Sequence, residues 1–194
     1  MAVPIILASS SPFRRALLDR LRLDFTCISP EVDESRRPGE TPAQLVKRLS
    51  EAKARAVAEQ AERGLIIGSD QCAECEGEIL GKPGDHARAV EQLRFLSGKE
   101  VRFHTGLALL NAQSGELQVD DVLFTVVMRP LRDAQIEAYL QAEQPYNCAG
   151  SFKSEALGIC LFEAMRGDDP TALIGLPLIR LTTMLETEGV RVCG

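Results

Sequence analysis

A chain of 194 residues, 45% of them hydrophobic, is long enough to bury a proper core as one domain or as two closely joined lobes. Its formal charge of -6 argues against a nucleic-acid surface, which needs a basic patch, and no apolar run reaches the roughly 18 residues of a membrane span. The N-terminus lacks the charged start and long apolar stretch of a secretory leader, so a cytoplasmic location is expected, with no nucleic-acid or membrane partner.

Residues 3–8 read as a buried strand and 12–22 as a helix. The stretch between and across them, "LASSSPFRRALL" (7–18), allows two readings. Ser10 or Ser11 can cap the helix with Pro12 in its first position. The same geometry also suits an anion, because free backbone N–H groups, hydroxyls and the guanidinium of Arg14 gather at a helix N-terminus. Residues 24–28 form a second strand, followed by "EVDE" (31–34). "ETPAQLVKRLSEAKARAVAEQAERG" is a helix capped by Thr41, opened by Pro42 and stopped by Gly64. At about 100° per residue, Leu45, Leu49, Ala52 and Ala56 make its apolar stripe, and Lys53 falls on the shoulder. A lysine there either snorkels to water or points into a pocket.

"LIIGSD" (65–70) is a short apolar strand ending in an acid, and "CEGEILGKPG" after it has the character of a hairpin or loop. Asp85 starts a helix that runs to about Phe95. Residues 100–112 and 116–129 alternate well enough to pair around "QSG". Asp133 caps a helix to about Ala142, and 176–188 form the last one. The alternation of strand and helix is that of an α/β fold, in which ligands collect at the carboxyl ends of strands.

Six cysteines include a C-x-x-C pair, Cys72 and Cys75. A four-thiolate zinc site needs a second close pair, and Cys148 and Cys160 are too far apart for one, so reduced thiols are expected. His86 and His104 are too few and too scattered for a metal cluster or a catalytic triad.

The polar residues near element ends fall into two sets. Arg14, Lys53 and Lys82, with the hydroxyls of Ser9 and Ser11, suit a phosphate chain; Glu34 and Asp70 suit a hard divalent ion that shares its oxygen ligands with substrate phosphates. Taken singly, each also reads as a solvated turn, a cap or an ordinary loop residue. The chain has no G-x-x-x-x-G-K-[ST], no G-x-G-x-x-G after a strand and no G-x-S-x-G.

"LASSSPFRRALL", "EVDE", "EAKA", "IIGSDQ", "GKP", "AGSFKSE" and "IGLPL", in that order over nearly the whole chain, resemble the Maf family of nucleoside triphosphate pyrophosphatases. The resemblance implies an α/β fold of the Maf and inosine-triphosphate-pyrophosphatase kind. That fold is one domain over residues 1–194, an elongated mixed sheet flanked by helices with two lobes around a cleft. It also implies cleavage of a nucleoside triphosphate to monophosphate and pyrophosphate, a divalent cation (Mg²⁺ or Mn²⁺) and a homodimer. Residue by residue, Ser11, Arg14, Lys53 and Lys82 would bind substrate phosphates, Glu34 and Asp70 the metal, and Asp70 would be the catalytic aspartate. "EAKA" carries an extra alanine before Lys53 relative to the family's usual "EKA", so Glu51 receives no role.

Within the family, Phe13, Gln71 and Glu155 stand where a branch preferring dTTP and UTP has arginine, threonine and glutamine. "SFKSE" (151–155) resembles the branch that prefers 7-methyl-GTP, although Phe13 replaces the tryptophan often found there. Methylation at N7 makes guanine cationic, which favours an aromatic face by ~0.5–2 kcal/mol, and Glu155 can accept from guanine N–H donors. The alternatives are a dTTP/UTP pyrophosphatase of the same family and a non-catalytic nucleotide-binding regulator of cell division. An ordinary Asp, with a pKa of ~3.9, is a poor base; burial must raise that value, or a metal must acidify the water.

Overall fold

The computed structural model describes residues 3–61 and 63–193. Its seven strands form one mixed sheet in the order β2-β1-β3-β5-β6-β7, with β4 paired to β3. The chain divides into two compact units: Met1–Gln71, Thr105–Val122 and Asp169–Gly194 make the first, Cys72–His104 and Leu123–Asp168 the second.

In the first unit, β1 (Ile5–Ala8) runs parallel to β2 (Phe25–Cys27) and to the start of β3 (Leu65–Cys75). Alternation along β1 splits the core in two. Ile5 and Leu7 join Leu65, Ile67, Leu107 and Leu109 beneath α1 (Pro12–Asp19) and α6 (Leu178–Thr187), which contribute Leu17, Leu18, Leu181, Met184 and Leu185. Ile6 and Ala8 turn the other way, with Ile66, Ala108 and Leu110, to meet Ala54 and Val57 of α2 (Pro42–Ala58). The sheet face under α2 mixes the small Ala8 and Ala108 with Ile6, Ile66 and Leu110, whereas the face under α1 and α6 is built almost wholly of large aliphatic residues.

Helix α2 starts as its sequence predicts. Thr41 Oγ1 accepts from Gln44 N at 3.3 Å, Gln44 Oε1 accepts from Thr41 N at 3.0 Å, and Pro42 takes the first position. It stops at Ala58 instead of continuing towards Gly64. Past Val57 only the partly buried Ala58 and Ala61 still pack against this core, and Gln60 and Ala61 close into a turn on Val57 and Ala58. Glu62, inside the expected helix, lies outside the described residues. Helix α1 likewise ends at Asp19, short of residue 22, where Arg22 adopts a positive φ of 54°.

Strand β3 does not end at Asp70. Residues 72–75 are buried and continue the strand, which turns at Glu76 and Gly77, both at positive φ, into the antiparallel β4 (Glu78–Leu80). Two successive positive φ values match the hairpin turn whose twist suits its flanking strands.

The second unit packs α3 (His86–Leu96) against α4 (Asp133–Glu143). Its aromatic core runs from Phe103 to Phe152 to Phe162, with ring centroids 5.3 and 4.8 Å apart. Asp85 caps α3, accepting from Arg88 N at 2.9 Å. Asp133 does not cap α4: it is the first helical residue and its carboxylate accepts from Arg94 Nε at 2.8 Å, leaving Arg132 as the N-cap. Strands β5 (Glu100–Asn111) and β6 (Leu117–Met128) are neighbours, as their alternation predicts. The sequence reading did not separate out β7 (Phe162–Arg166), antiparallel to β6, or the five-residue α5 (Pro170–Ile174) in the first unit. Among the described residues, no helix is long and apolar enough to cross a membrane.

Candidate active site

The connection leaving β1 is a helix cap. Ser9 is buried and its Oγ accepts from Ser11 N at 3.1 Å; Ser11 is the N-cap of α1, its Oγ accepting from Arg14 N at 3.4 Å. This cap puts Arg14 in the first turn, where its Nε donates to the Gly175 carbonyl at 2.8 Å. The same carbonyl accepts from the buried Ser69 Oγ at 3.0 Å, which also reaches the Gly106 carbonyl at 2.8 Å. A guanidinium donating to a fixed carbonyl has its planar fork oriented by the fold.

What fixes that carbonyl is a network around Asp169, which is 3% exposed. Asp169 caps α5, accepting from Thr171 N at 2.9 Å and from the Thr171 hydroxyl, while its other oxygen accepts from Ile179 N at 2.8 Å. Thr171 Oγ1 in turn accepts from Leu178 N at 2.8 Å. Gly175, at φ +123°, supplies the backbone conformation between the two helices. Asp169, Thr171, Ser69 and Gly175 were not read as site residues; the run "DDPTALIGLPL" held the signal, an Asp-Pro-Thr cap with Gly and Pro following.

Lys53 is 6% exposed and does not snorkel. Its Nζ lies 2.6 Å from Glu34 Oε1 and 2.6 Å from Asp70 Oδ1. Two glycines bring it there. A Cβ at Gly68 would overlap the Ser50 carbonyl, and one at Gly106 would overlap the Val46 carbonyl and the Ser50 hydroxyl, so α2 lies directly on the backbone of β3 and β5. Ala8 pairs with Gly68, so Asp70 stands two residues past the end of β1, level with the departing serines, although β3 itself runs on.

Glu34 belongs to an irregular segment ordered by a residue the sequence reading passed over. Glu40, 8% exposed, accepts from Arg48 Nε at 2.6 Å and Nη2 at 2.8 Å and from Arg37 N at 3.1 Å; Arg48 Nη2 also donates to Ser35 O at 3.0 Å. The Arg48 hydrogen bond pulls the Glu40 carboxyl down to about 2. Burial lowers the Arg14 guanidinium from its ordinary value, while Asp70 and then Glu34 raise it again. Arg14 and Lys53 therefore stand against Glu34 and Asp70 with formal charges that cancel. An incoming phosphate chain leaves such a group net negative.

Two carboxylates beside a lysine suit a hard divalent ion: each carboxylate has two oxygens and several lone pairs, so contact with Lys53 does not exhaust them. Among the described residues no three His, Cys, Asp or Glu side chains are grouped to hold a metal by themselves. The fit is therefore to an ion that draws its other ligands from substrate and water. Among the described cysteines all are free thiols, and Cys72 and Cys75 are buried in β3.

Phe13, in the first turn of α1, is 36% exposed and presents an aromatic face. The Gln71 amide donates to Thr105 Oγ1, Ala172 O and Leu173 O at 3.0, 2.8 and 3.1 Å, tying β3 to α5. Lys82 and Glu155 belong to the second unit, where both are exposed. Lys82 lies in the loop between β4 and α3. Glu155 projects from a loop closed by Glu143, which accepts from Lys153 Nζ at 2.9 Å and from Leu157 N at 3.2 Å. Burial raises the Cys148 thiol; Glu155 adds to the rise, and Lys153 and Lys82 oppose it.

The family described as Maf-like protein matches residues 4–188. A protein of Pseudomonas syringae pv. tomato named 7-methyl-GTP pyrophosphatase is 61% identical over 188 residues, 97% of this chain and 98% of that one. A protein of the same name from Albidiferax ferrireducens is 54% identical, over 98% of this chain and 96% of that one. Among solved structures, a HAM1 protein from Coxiella burnetii superposes with a TM-score of 0.55 at 16% identity, covering 96% of this chain and 100% of that one. The Staphylococcus aureus Ham1 protein gives 0.55 at 13%, covering 95% and 99%. The structural likenesses speak to the fold alone, whereas the family match and the relatives above half identity span nearly every residue: the chain belongs to the Maf family.

Proposed function

We propose that this chain hydrolyses 7-methyl-GTP to 7-methyl-GMP and pyrophosphate, a step suited to clearing modified nucleotides. The observation that carries the chemistry is the buried Lys53 amine held at 2.6 Å from both Glu34 and Asp70, with the Arg14 guanidinium nearby. Relatives named for 7-methyl-GTP support the substrate.

In the proposed reaction a water oxygen bonds to the α-phosphorus, the bond from that phosphorus to the bridging oxygen breaks, and pyrophosphate leaves with the electron pair. Asp70 orients the water and receives its proton. Arg14 and Lys53, fixed before substrate arrives, stabilise the charge that develops on the phosphate oxygens without reorganising, and Lys82 and Ser11 add donors. Glu34 and Asp70 are the residues that would hold Mg²⁺ or Mn²⁺. Such an ion would supply charge neutralisation and a more acidic water. Phe13 offers its exposed face to the cationic base and Glu155 an acceptor for the guanine N–H donors. Gln71, its N–H groups engaged, serves mainly to hold β3 against α5. A homodimer acting in the cytoplasm, without nucleic-acid or membrane partners, completes the proposal.

The test is a panel of 7-methyl-GTP, GTP, dTTP and UTP with added Mg²⁺ or Mn²⁺, scored for monophosphate and pyrophosphate. The expected result is the highest kcat/KM on 7-methyl-GTP. Preference for dTTP or UTP would reject the substrate, and nucleotide binding without pyrophosphate release would point to a regulator.

A further inference from the structure

One side chain hydrogen-bonds to both of the loops of the second unit that carry Lys82 and Glu155. Gln92, on α3, donates from Nε2 to the Gly81 carbonyl at 3.2 Å, and its Oε1 accepts from Ser151 Oγ at 2.6 Å. Gly81 directly precedes Lys82, and Ser151 opens the "SFKSE" run that ends in Glu155. The amide has only one workable orientation. A backbone carbonyl can only accept, so the NH₂ group must face Gly81, which leaves the carbonyl oxygen for the serine hydroxyl.

The other features of both loops fit a clamp. Ser151 is fully buried and sits at φ +62°, a left-handed conformation uncommon for a non-glycine residue, so its hydroxyl is held in place by the surrounding structure. Phe152 next to it is anchored in the aromatic core. On the other side, Gly84 N donates to Tyr146 O at 2.9 Å, and His86 reaches the Tyr146 hydroxyl at 2.9 Å and Glu137 at 3.0 Å. Both loops are thus fixed at their far ends, and Gln92 ties their near ends to one helix.

We propose that Gln92 is a positioning residue that holds the Lys82 loop and the Glu155 loop in one register, coupling phosphate binding to base reading. This rests on the roles of Lys82 and Glu155 in the reading above. The two halves of the amide can be cut separately. Gln92→Glu keeps an acceptor for Ser151 but sets an oxygen against the Gly81 carbonyl, so it frees the Lys82 loop alone. Ser151→Ala removes the other bond and frees the Glu155 loop alone. Gln92→Leu cuts both.

The experiment pairs a substrate-free measurement with a kinetic one, using whichever nucleotides the wild type hydrolyses. In hydrogen exchange, Gly84 N should exchange faster in Gln92→Glu and Gln92→Leu, and Lys153 N, which donates to the Tyr139 hydroxyl, faster in Ser151→Ala and Gln92→Leu. In kinetics, Gln92→Glu should lower kcat/KM about three- to tenfold on every nucleotide alike, the size of one lost hydrogen bond. Ser151→Ala should lower the ratio of 7-methyl-GTP to dTTP by a similar factor, and Gln92→Leu should do both. Unchanged exchange in either loop overturns the clamp whatever the substrate proves to be. Faster exchange with unchanged kinetics overturns the positioning role. A wild type that prefers another nucleotide rejects the proposed function instead and leaves the exchange test standing.

Discussion

Lys53 carries the sharpest claim at the scale of single residues, because a place on the shoulder of a Leu45, Leu49, Ala52 and Ala56 stripe is compatible with opposite fates, whereas the face that α2 buries runs through Val46, Leu49, Lys53, Ala54 and Val57, with Ala52 and Ala56 only half-buried. Which fate holds depends on Gly68 and Gly106, distant in sequence, whose missing side chains let α2 descend until the amine meets Asp70. The helical spacing of Val46, Leu49, Lys53 and Val57 sets which face is buried, but not how closely that face approaches the strands. Lys53→Ala should lower kcat by about a hundredfold or more, the cost typical of deleting a fixed charge-stabilising donor, and should leave two carboxylates facing each other without their shared cation. Asp70→Asn keeps the shape while removing the charge and the proton acceptor. Steady-state turnover on the preferred nucleotide should fall by roughly three orders of magnitude or more, with an unaltered circular dichroism spectrum. Turnover within a few-fold of wild type would remove either residue from the mechanism.

Helix starts were well signalled at the scale of elements because caps are local: Ser11-Pro12, Thr41-Pro42 and Asp85 each place donor, acceptor and φ within four residues. Ends and extensions were not. Asp70 looked like a terminator of β3 because the strand's continuation contains Gln71 and Glu74, and what accommodates them comes from elsewhere. Gln71 is tied to α5, and Glu74 accepts from Gly77 N at 2.6 Å and pairs with Arg102. The contact of α2 with β3 is testable through Gly68→Ala. The added Cβ cannot coexist with the Ser50 carbonyl, so the helix must lift, at about 1–3 kcal/mol in urea denaturation, and turnover should fall as Lys53 moves from Asp70. The segment holding Glu34 has its own signature in pH. Glu40 titrates in the folded state at about 2, below its ordinary 4.5, so unfolded chains bind more protons between those values. Its contribution to stability is complete above about pH 4.5 and is lost as pH falls towards 2. Glu40→Gln should flatten the stability profile across that window in denaturation measured at a series of acidic pH values, and an identical profile would show that Arg48 does not hold the segment through Glu40.

For the whole molecule, the order of weak motifs was the legible signal, since each alone has an ordinary explanation and only their sequence along the chain is specific. The polar network of Asp169, Thr171, Ser69 and Gly175 was not legible, because it consists of common residues whose meaning appears only when distant segments meet. The proposed base reading calls on residues from far along the chain: Phe13 belongs to the first unit and Glu155 to the second, so each variant interrogates its own unit. Phe13→Arg replaces an exposed aromatic face with a charge that repels a cationic base, and Glu155→Gln exchanges a charged acceptor for a neutral one. Together they remove ~2–4 kcal/mol of discrimination. The ratio of kcat/KM for 7-methyl-GTP over dTTP should therefore fall by roughly thirty- to nearly a thousandfold in the double variant. The fall should come from loss on 7-methyl-GTP with dTTP hydrolysis spared or improved, because Asp70, Lys53 and Arg14 are untouched. Equal losses on both nucleotides would mean that the substitutions disturb phosphate binding, and an unchanged ratio would place base recognition on other residues.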